Sequence, residues 1–330
     1  MNTEAVLVNA AGLSSIAALW MFAIGSAFKS KTRIVYIAGI VVLAFCFTCV
    51  SISLLVRTAE SARFPITNLY ESLLLFSWGL LLVSMVLFSR QNLPQLGWLT
   101  ALSVSLVFLY ASWLPSGQHA IKPLMPALVS YWRVIHVPPL IVSYAFFVMS
   151  GLLSIVNLWS GRRRMTAAAC LLALLVCLLS ICLGTLKLAD VQTIQLGFWL
   201  GLCISCAATF GLFFWEAQRP FVPTKLSDLA EGLSQKSIAI AFPLLTFGII
   251  TGALWANHAW GAYWTWDPKE SMSLATWLSY AAYLHLRSRN CCGTDTLSLC
   301  AFLGLLLTIL TYLGFTFLDL GGLHTYGNLA

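Results

Sequence analysis

Runs of about 20 apolar residues recur along almost the whole chain, and few folds can satisfy them. A helix rises 1.5 Å per residue, so such a run crosses a hydrocarbon core of roughly 30 Å with its backbone bonds closed internally. About ten runs are legible, at roughly 5–28, 34–56, 71–89, 97–114, 138–160, 166–186, 195–216, 237–256, 271–289 and 296–317. Only 9% of the 330 residues are charged, where soluble domains run near a quarter. The expected fold class is all-α, a polytopic integral membrane helical bundle of about ten transmembrane helices, or about eight if the hairpin at 166–216 does not cross. The first run follows an acid, Glu4, with no basic stretch before it. It lacks the layout of a cleavable signal and is expected to be retained. The chain reads as one membrane domain, 1–330, whose unusual residues gather in a C-terminal portion, 228–330.

Basic residues in short loops set the orientation. With the N-terminus outside, one side collects Lys29, Lys31, Arg33, Arg90, Arg162, Arg163, Arg164, Arg219, Lys225, Lys236, Arg287 and Arg289, twelve of the 18 Lys and Arg. The other six are Arg57, Arg63, Lys122, Arg133, Lys187 and Lys269. The first group is expected in the cytoplasm or stroma, and the run "GRRRM" at 161–165 reads as a topology anchor. The net charge of +7 reflects this bias and calls for no nucleic-acid partner. Segments 115–137 and 255–270, and the C-terminus from about 318, then lie on the external, periplasmic or lumenal side. The inner loop at about 217–236 has a Leu spacing that suggests a short surface helix.

All ten cysteines fall in apolar runs or on the inner side, so no external disulfide framework is available. Cys46/Cys49 and Cys203/Cys206 have the C-x-x-C spacing but lie inside runs, where they pack as small apolar side chains. No histidine follows either pair, so the chain is not itself a c-type cytochrome.

Residues 255–270, "WANHAWGAYWTWDPKE", carry Trp255, Trp260, Trp264 and Trp266, four of the chain's 13 tryptophans. Asp267, Pro268 and Glu270 read as a helix start: an N-cap acid, Pro at the first helical position and an acid at the third. Capping does not account for Trp260, Tyr263, Trp264 and Trp266 ahead of them. An interfacial aromatic belt accounts for some of these rings. Of five histidines, His136 lies just before the fifth run and His324 shortly after the tenth. Both fall on the side of the aromatic segment, as do His119 and His258. Two imidazoles with a slab of aromatic rings between them are what a haem site requires. An interfacial histidine that is merely solvated is the plain alternative. His285 falls about 17 residues beyond Pro268, roughly 25 Å down the ninth run, where an ionisable group is a functional candidate. Ala281 and Ala282 one turn above it leave room for a flat ligand or a close helix. The competing reading is a histidine snorkelling to the inner surface beside Arg287 and Arg289.

The segment resembles the tryptophan-rich WWD signature of haem-handling membrane proteins, and its "WG-x-YW-x-WDPKE" form is similar to the CcsA/ResC type of cytochrome c biogenesis protein. The likeness extends to "NLYESLLLFSW" at 68–78, "DLAEGLSQKSIAIAFPLLTFGIITGALWAN" at 228–257, "YLHLR" at 283–287 and "GLHTYG" at 322–327. The resemblance implies haem b as substrate and ligand, its iron held by His136 and His324. It implies a cradle of Trp255, Trp260, Tyr263, Trp264, Trp266 and Asp267. It gives His285 the iron at a deeper site where haem enters. It also implies a CcsB/ResB-type membrane partner and an apocytochrome c whose C-x-x-C-H thiols receive the vinyl groups of reduced haem. The chain would then act only in complex, as a holocytochrome c synthase, in a bacterial inner membrane or a thylakoid. His258 stands where the family pattern has an acid, and is either neutral or an alternative ligand. A haem exporter without ligation activity and a secondary transporter are the other readings. A transporter is expected to show an internal repeat and matching midplane breaks, and no convincing repeat is visible.

Overall fold

Each of the apolar runs is a helix. The computed structural model describes residues 3–27, 32–88, 96–124, 128–161, 163–185, 191–217 and 224–314. Its helices are α1 (Thr3–Ala27), α2 (Thr32–Ser61), α3 (Leu69–Phe88), α4 (Gly97–Trp113), the short α5 (Ser116–His119), α6 (Trp132–Ser160), α7 (Arg164–Thr185), α8 (Val191–Ala217), α9 (Lys225–Trp260), α10 (Pro268–Ser288) and α11 (Thr294–Ile309). A π turn, Leu310–Gly314, prolongs α11. No strand occurs among the described residues.

Six helices are long and apolar enough to cross a membrane, namely α1, α2, α3, α6, α9 and α11 with its π turn. The described parts of α4, α7 and α8 supply shorter apolar stretches. The tenth helix is in neither group, because Lys269, Glu270, Ser271, Ser273, Thr276, Ser279 and Arg287 interrupt its apolar character. The protein is therefore an all-helical integral membrane protein, with six spans carried by length and composition among the described residues. Hydroxyls inside these helices bond back to carbonyls one turn earlier, as Ser77 does to Leu73 and Ser103 to Leu99. Such bonds let Ser and Thr sit in an apolar run without a stranded polar group.

The chain divides into two units, the first reaching Ala145 and the second running from Phe146 to Leu329. In the first, α1 packs against α2 and α4, and α3 against both of those. The Phe22 ring fills the space left by Gly39 and Gly97, where a Cβ would collide with it. The Trp78 indole donates to Ser51 Oγ at 3.0 Å. Ala11, Ala18 and Phe22 of α1 are buried in this packing. Cys46 and Cys49 are buried and unbridged, as small packing residues should be.

In the second unit α7 packs on α8, and α10 on α9 and α11. Phe147 of α6 stacks on Tyr280 of α10, with centroids 3.7 Å apart and planes within 8°. Gly304 opens the space for the Tyr280 ring, and Gly151 lets α6 approach Leu305 of α11. Polar pairs knit the same helices: Asn157 Nδ2 donates to Ser298 Oγ at 2.7 Å, and the Ser150 and Ser234 hydroxyls are 2.8 Å apart. A Cβ at Gly151 would run into the Leu305 side chain. Gly151→Val is therefore expected to destabilise this unit by about 1–3 kcal/mol, the usual cost of overpacking. The check is a lowered thermal midpoint that Leu305→Ala, introduced alongside it, partly restores.

Three local expectations change. Among the described residues the loop at 217–236 holds no separate surface helix: from Lys225 it is already α9, which runs 36 residues without a break. Thr224 caps it reciprocally with Ser227, and Ala230, Leu233 and Ser234 are buried, so packing rather than amphipathic contact with a surface fixes these turns. The run "GRRRM" also does more than anchor topology. Arg163 is 4% exposed, donates to Asp295 Oδ2 at 2.8 Å and bonds the Glu216 carbonyl. The Glu216 carboxylate in turn accepts from the Met165 and Thr166 amides at 3.1 and 2.9 Å, so α8 supplies the cap for α7. Finally, α6 begins at Trp132, which puts His136 inside the helix rather than before it.

Candidate functional site

The aromatic segment is a sharp connection between two helices. The ninth helix ends at Trp260, and Gly261 takes the left-handed backbone (φ 79°) that closes it, its amide bonding the Asn257 carbonyl. Glycine adopts that conformation without a Cβ clash. Seven residues later Pro268 opens α10, and between the two helices the chain runs without secondary structure apart from a bend.

The acid end of the segment is a capping box, as the residue types indicate. Asp267 Oδ1 accepts from the Lys269 amide at 2.9 Å, and Glu270 Oε2 accepts from the Asp267 amide at 3.3 Å. Glu270 Oε2 also accepts from the Thr265 amide at 2.7 Å and from its hydroxyl at 3.3 Å. Asp267 and Glu270 are both buried. These bonds clamp the chain on either side of Trp266, whose φ of 58° is left-handed. A bulky residue there is strained, and such strain persists only where the surroundings impose it.

The rings divide into two kinds. Trp255 is buried in α9 (8% exposed), whereas Tyr263 and Trp266 are 57% and 70% exposed. Trp260 and Trp264 are half-buried. Trp264 and Trp266 meet edge to face, centroids 5.9 Å apart. The segment thus presents large apolar rings outward on a backbone held from below by a buried carboxylate.

The histidines fall in different settings. His136 is half-buried in the second turn of α6, two residues ahead of Pro138 and Pro139. His258 is exposed in the last turn of α9. His285 is exposed in the last turn of α10, close in sequence to Arg287, which pairs with Glu231 and donates to Gln235 Oε1 at 2.8 Å. His119 is committed to structure, stacked on Tyr70 at 4.5 Å with Nε2 3.1 Å from the Ala111 carbonyl. His324 lies outside the described residues. No group of three or more His, Cys, Asp or Glu placed to hold a metal ion occurs among the described residues.

A second polar constellation, not anticipated from the residue pattern, sits at one end of the first unit. Arg57 of α2 is 1% exposed. Its Nη1 donates to both Glu4 oxygens at 2.9 and 3.0 Å, its Nε to Glu71 Oε1 at 3.0 Å and its Nη2 to the His119 carbonyl at 3.1 Å. Glu71 Oε2 accepts from the Thr67 amide and hydroxyl, both at 2.7 Å. The Arg57 guanidinium also lies 5.1 Å from the Tyr70 ring centre. Arg57 was counted among the loop charges that set orientation; it is instead a buried cation inside a helix. The legible signal was a pair of opposite charges, Arg57 and Glu71, at the ends of neighbouring apolar runs.

Fold and segment together define a class: an all-helical integral membrane protein with a tryptophan-rich, capped connection between its ninth and tenth helices. Residues 66–323 match the family model described as cytochrome C assembly protein, and the chain belongs to that family. It is similar to the cytochrome c biogenesis protein CcsA of Guillardia theta, at 34% identity over 319 residues, covering 96% of this chain and 92% of the relative. The CcsA of Pyropia yezoensis is 34% identical over all of both chains. That of Synechococcus elongatus is 34% identical over 292 residues, 86% of each. The resemblance to the CcsA/ResC type drawn from the aromatic segment is thereby shown.

Proposed function

We propose that this chain works in cytochrome c maturation as the haem-handling membrane subunit of a cytochrome c synthase. In this reading it moves haem b across the membrane and presents it, reduced, at the 255–270 segment on the external side, for thioether attachment to the C-x-x-C-H thiols of an apocytochrome. A CcsB/ResB-type membrane protein completes the synthase. The observation that carries the reading is the outward display of Tyr263 and Trp266 on a strained, clamped backbone, within a chain of the cytochrome c assembly family.

Haem is the substrate, and the chain's own groups have plain tasks. Exposed Trp and Tyr faces offer a flat apolar platform that matches a macrocycle. His136 and His324, by family resemblance, supply axial nitrogens to the iron. The amino end of α10, with Lys269 in its first turn, favours an anionic substituent. His285, near the far end of α10, is assigned to the inner site.

The test is spectroscopic. Full-length chain purified with its membrane partner is expected to carry haem with a six-coordinate absorption spectrum. His136→Ala and His324→Ala should each shift or abolish that spectrum, and an imidazole supplement should restore it. A preparation without haem, or spectra untouched by both substitutions, overturns the reading. Co-expression with a C-x-x-C-H reporter separates a synthase from an exporter: covalent haem on the reporter supports the former, free haem on the external side the latter.

A further inference from the structure

The end of the first unit that holds Arg57 has buried guanidinium donors that no acceptor meets among the described residues. Glu4 and Glu71 are both engaged by Arg57, and the remaining Glu71 oxygen by Thr67. Arg63 joins through Thr67, its Nη2 3.3 Å from Thr67 Oγ1. Arg133, at the start of α6, is left over. It is 6% exposed, and its Nε and Nη1 have no hydrogen-bond partner among the described residues. Nε of Arg63 is likewise buried and unpartnered. Buried guanidinium nitrogens are normally satisfied by hydrogen bonds. The arrangement suits an anion, with Arg133 offering a fork of donors that fits a carboxylate.

The position of Arg133 narrows the ligand. It stands three residues before His136 on the same helix, a spacing that puts both on one face about one turn apart. A ligand held at the His136 imidazole that also reached Arg133 would need a carboxylate within a helical turn of its coordinating centre. Resting on the reading of His136 as an axial ligand, we propose that Arg133, backed by Arg63, binds one propionate carboxylate of the haem. Arg133 is then a binding residue that orients the macrocycle, because a fixed propionate selects one rotation about the axis through the iron.

The experiment uses the full chain with its membrane partner, iron protoporphyrin IX, and the dimethyl ester of the same porphyrin. Arg133→Gln is expected to weaken binding of the free acid by about tenfold or more, the worth of a charge-assisted pair. It should leave ester binding within about twofold, and Arg133→Lys should fall between. Without haem, Arg133→Gln should match or exceed the wild-type thermal midpoint, since it removes buried donors that lack acceptors among the described residues. Equal losses for acid and ester, no loss for either, or a lowered midpoint without haem overturns the assignment. The assay is repeated in nanodiscs with and without anionic phospholipid. A dependence on Arg133 that appears only with anionic lipid assigns the site to a lipid phosphate and overturns the propionate. His136→Ala in parallel keeps the two readings apart. If it spares both porphyrins, the axial assignment falls while the acid-to-ester contrast still judges Arg133. If it abolishes both while Arg133→Gln shows no contrast, only the present inference falls.

Discussion

Glu71→Ala is expected to destabilise the protein by about 3–5 kcal/mol, the cost of breaking a buried ion-pair network by removing one member. Glu71 is wholly buried, accepts from Arg57 Nε and from the amide and hydroxyl of Thr67, and has its own amide held by Asn68 Oδ1 at 2.8 Å. Asn68 Nδ2 continues to the Gln118 carbonyl at 3.1 Å. Removing the carboxylate therefore strands donors from α2 and from the turn before α3 together. Thermal unfolding in detergent, followed by monodispersity, is the measurement. Adding Arg57→Met to Glu71→Ala should deepen the loss, because it also strands the buried Glu4 carboxylate that Arg57 engages. A single-variant loss below about 1 kcal/mol would place the pair among exposed ion pairs of little worth.

The second large effect concerns the capping box. Glu270→Ala removes the acceptor for the Thr265 amide, the Thr265 hydroxyl and the Asp267 amide. Two buried or part-buried amides would be stranded at about 1–3 kcal/mol each. The backbone that holds Trp266 at positive φ would lose its clamp. The expected result is a nearly full loss of haem absorbance and of reporter maturation with helix content unchanged by circular dichroism. Retained haem with the same helix content would show that the clamp is dispensable. Asp267 offers a finer division. Asparagine caps a helix about as well as aspartate, whereas alanine costs roughly 0.5–2 kcal/mol. If the role of Asp267 is capping, Asp267→Asn keeps stability and haem while Asp267→Ala loses both. If its charge serves the ligand directly, Asp267→Asn keeps the thermal midpoint but loses haem.

Much of the architecture was legible because a bilayer permits so little else. Long apolar runs marked the helices, and Asp267-Pro268-x-Glu270 marked the start of α10 to the residue. What escaped were contacts whose partners are far apart in sequence. Arg163 looked like an isolated anchor because Asp295 and Glu216 lie on other helices. Arg57 looked like a loop charge because Glu4 stands 53 residues away. Helix starts slipped for a related reason. The apolar run starts at about 138, after His136, yet α6 begins at Trp132, with the Arg133 and Val134 amides bonded back to the Ser130 and Tyr131 carbonyls. Pro138 and Pro139 sit inside α6, where each removes an i→i−4 donor without ending the helix.

Sequence by itself determined that this chain lives in a membrane as a set of helices, and it singled out the aromatic segment through a motif specific enough to identify the family. The first follows from local physics, hydropathy over one run; the second from a dense cluster of rings beside a capping sequence, whose resemblance to a known signature carried the family. Tertiary structure decided which charges are structural, since burial and pairing depend on distant neighbours. It made Arg57 a cation held by two carboxylates and left Arg133 with Nε and Nη1 unbonded among the described residues, although in the sequence each is a single basic residue beside an apolar run.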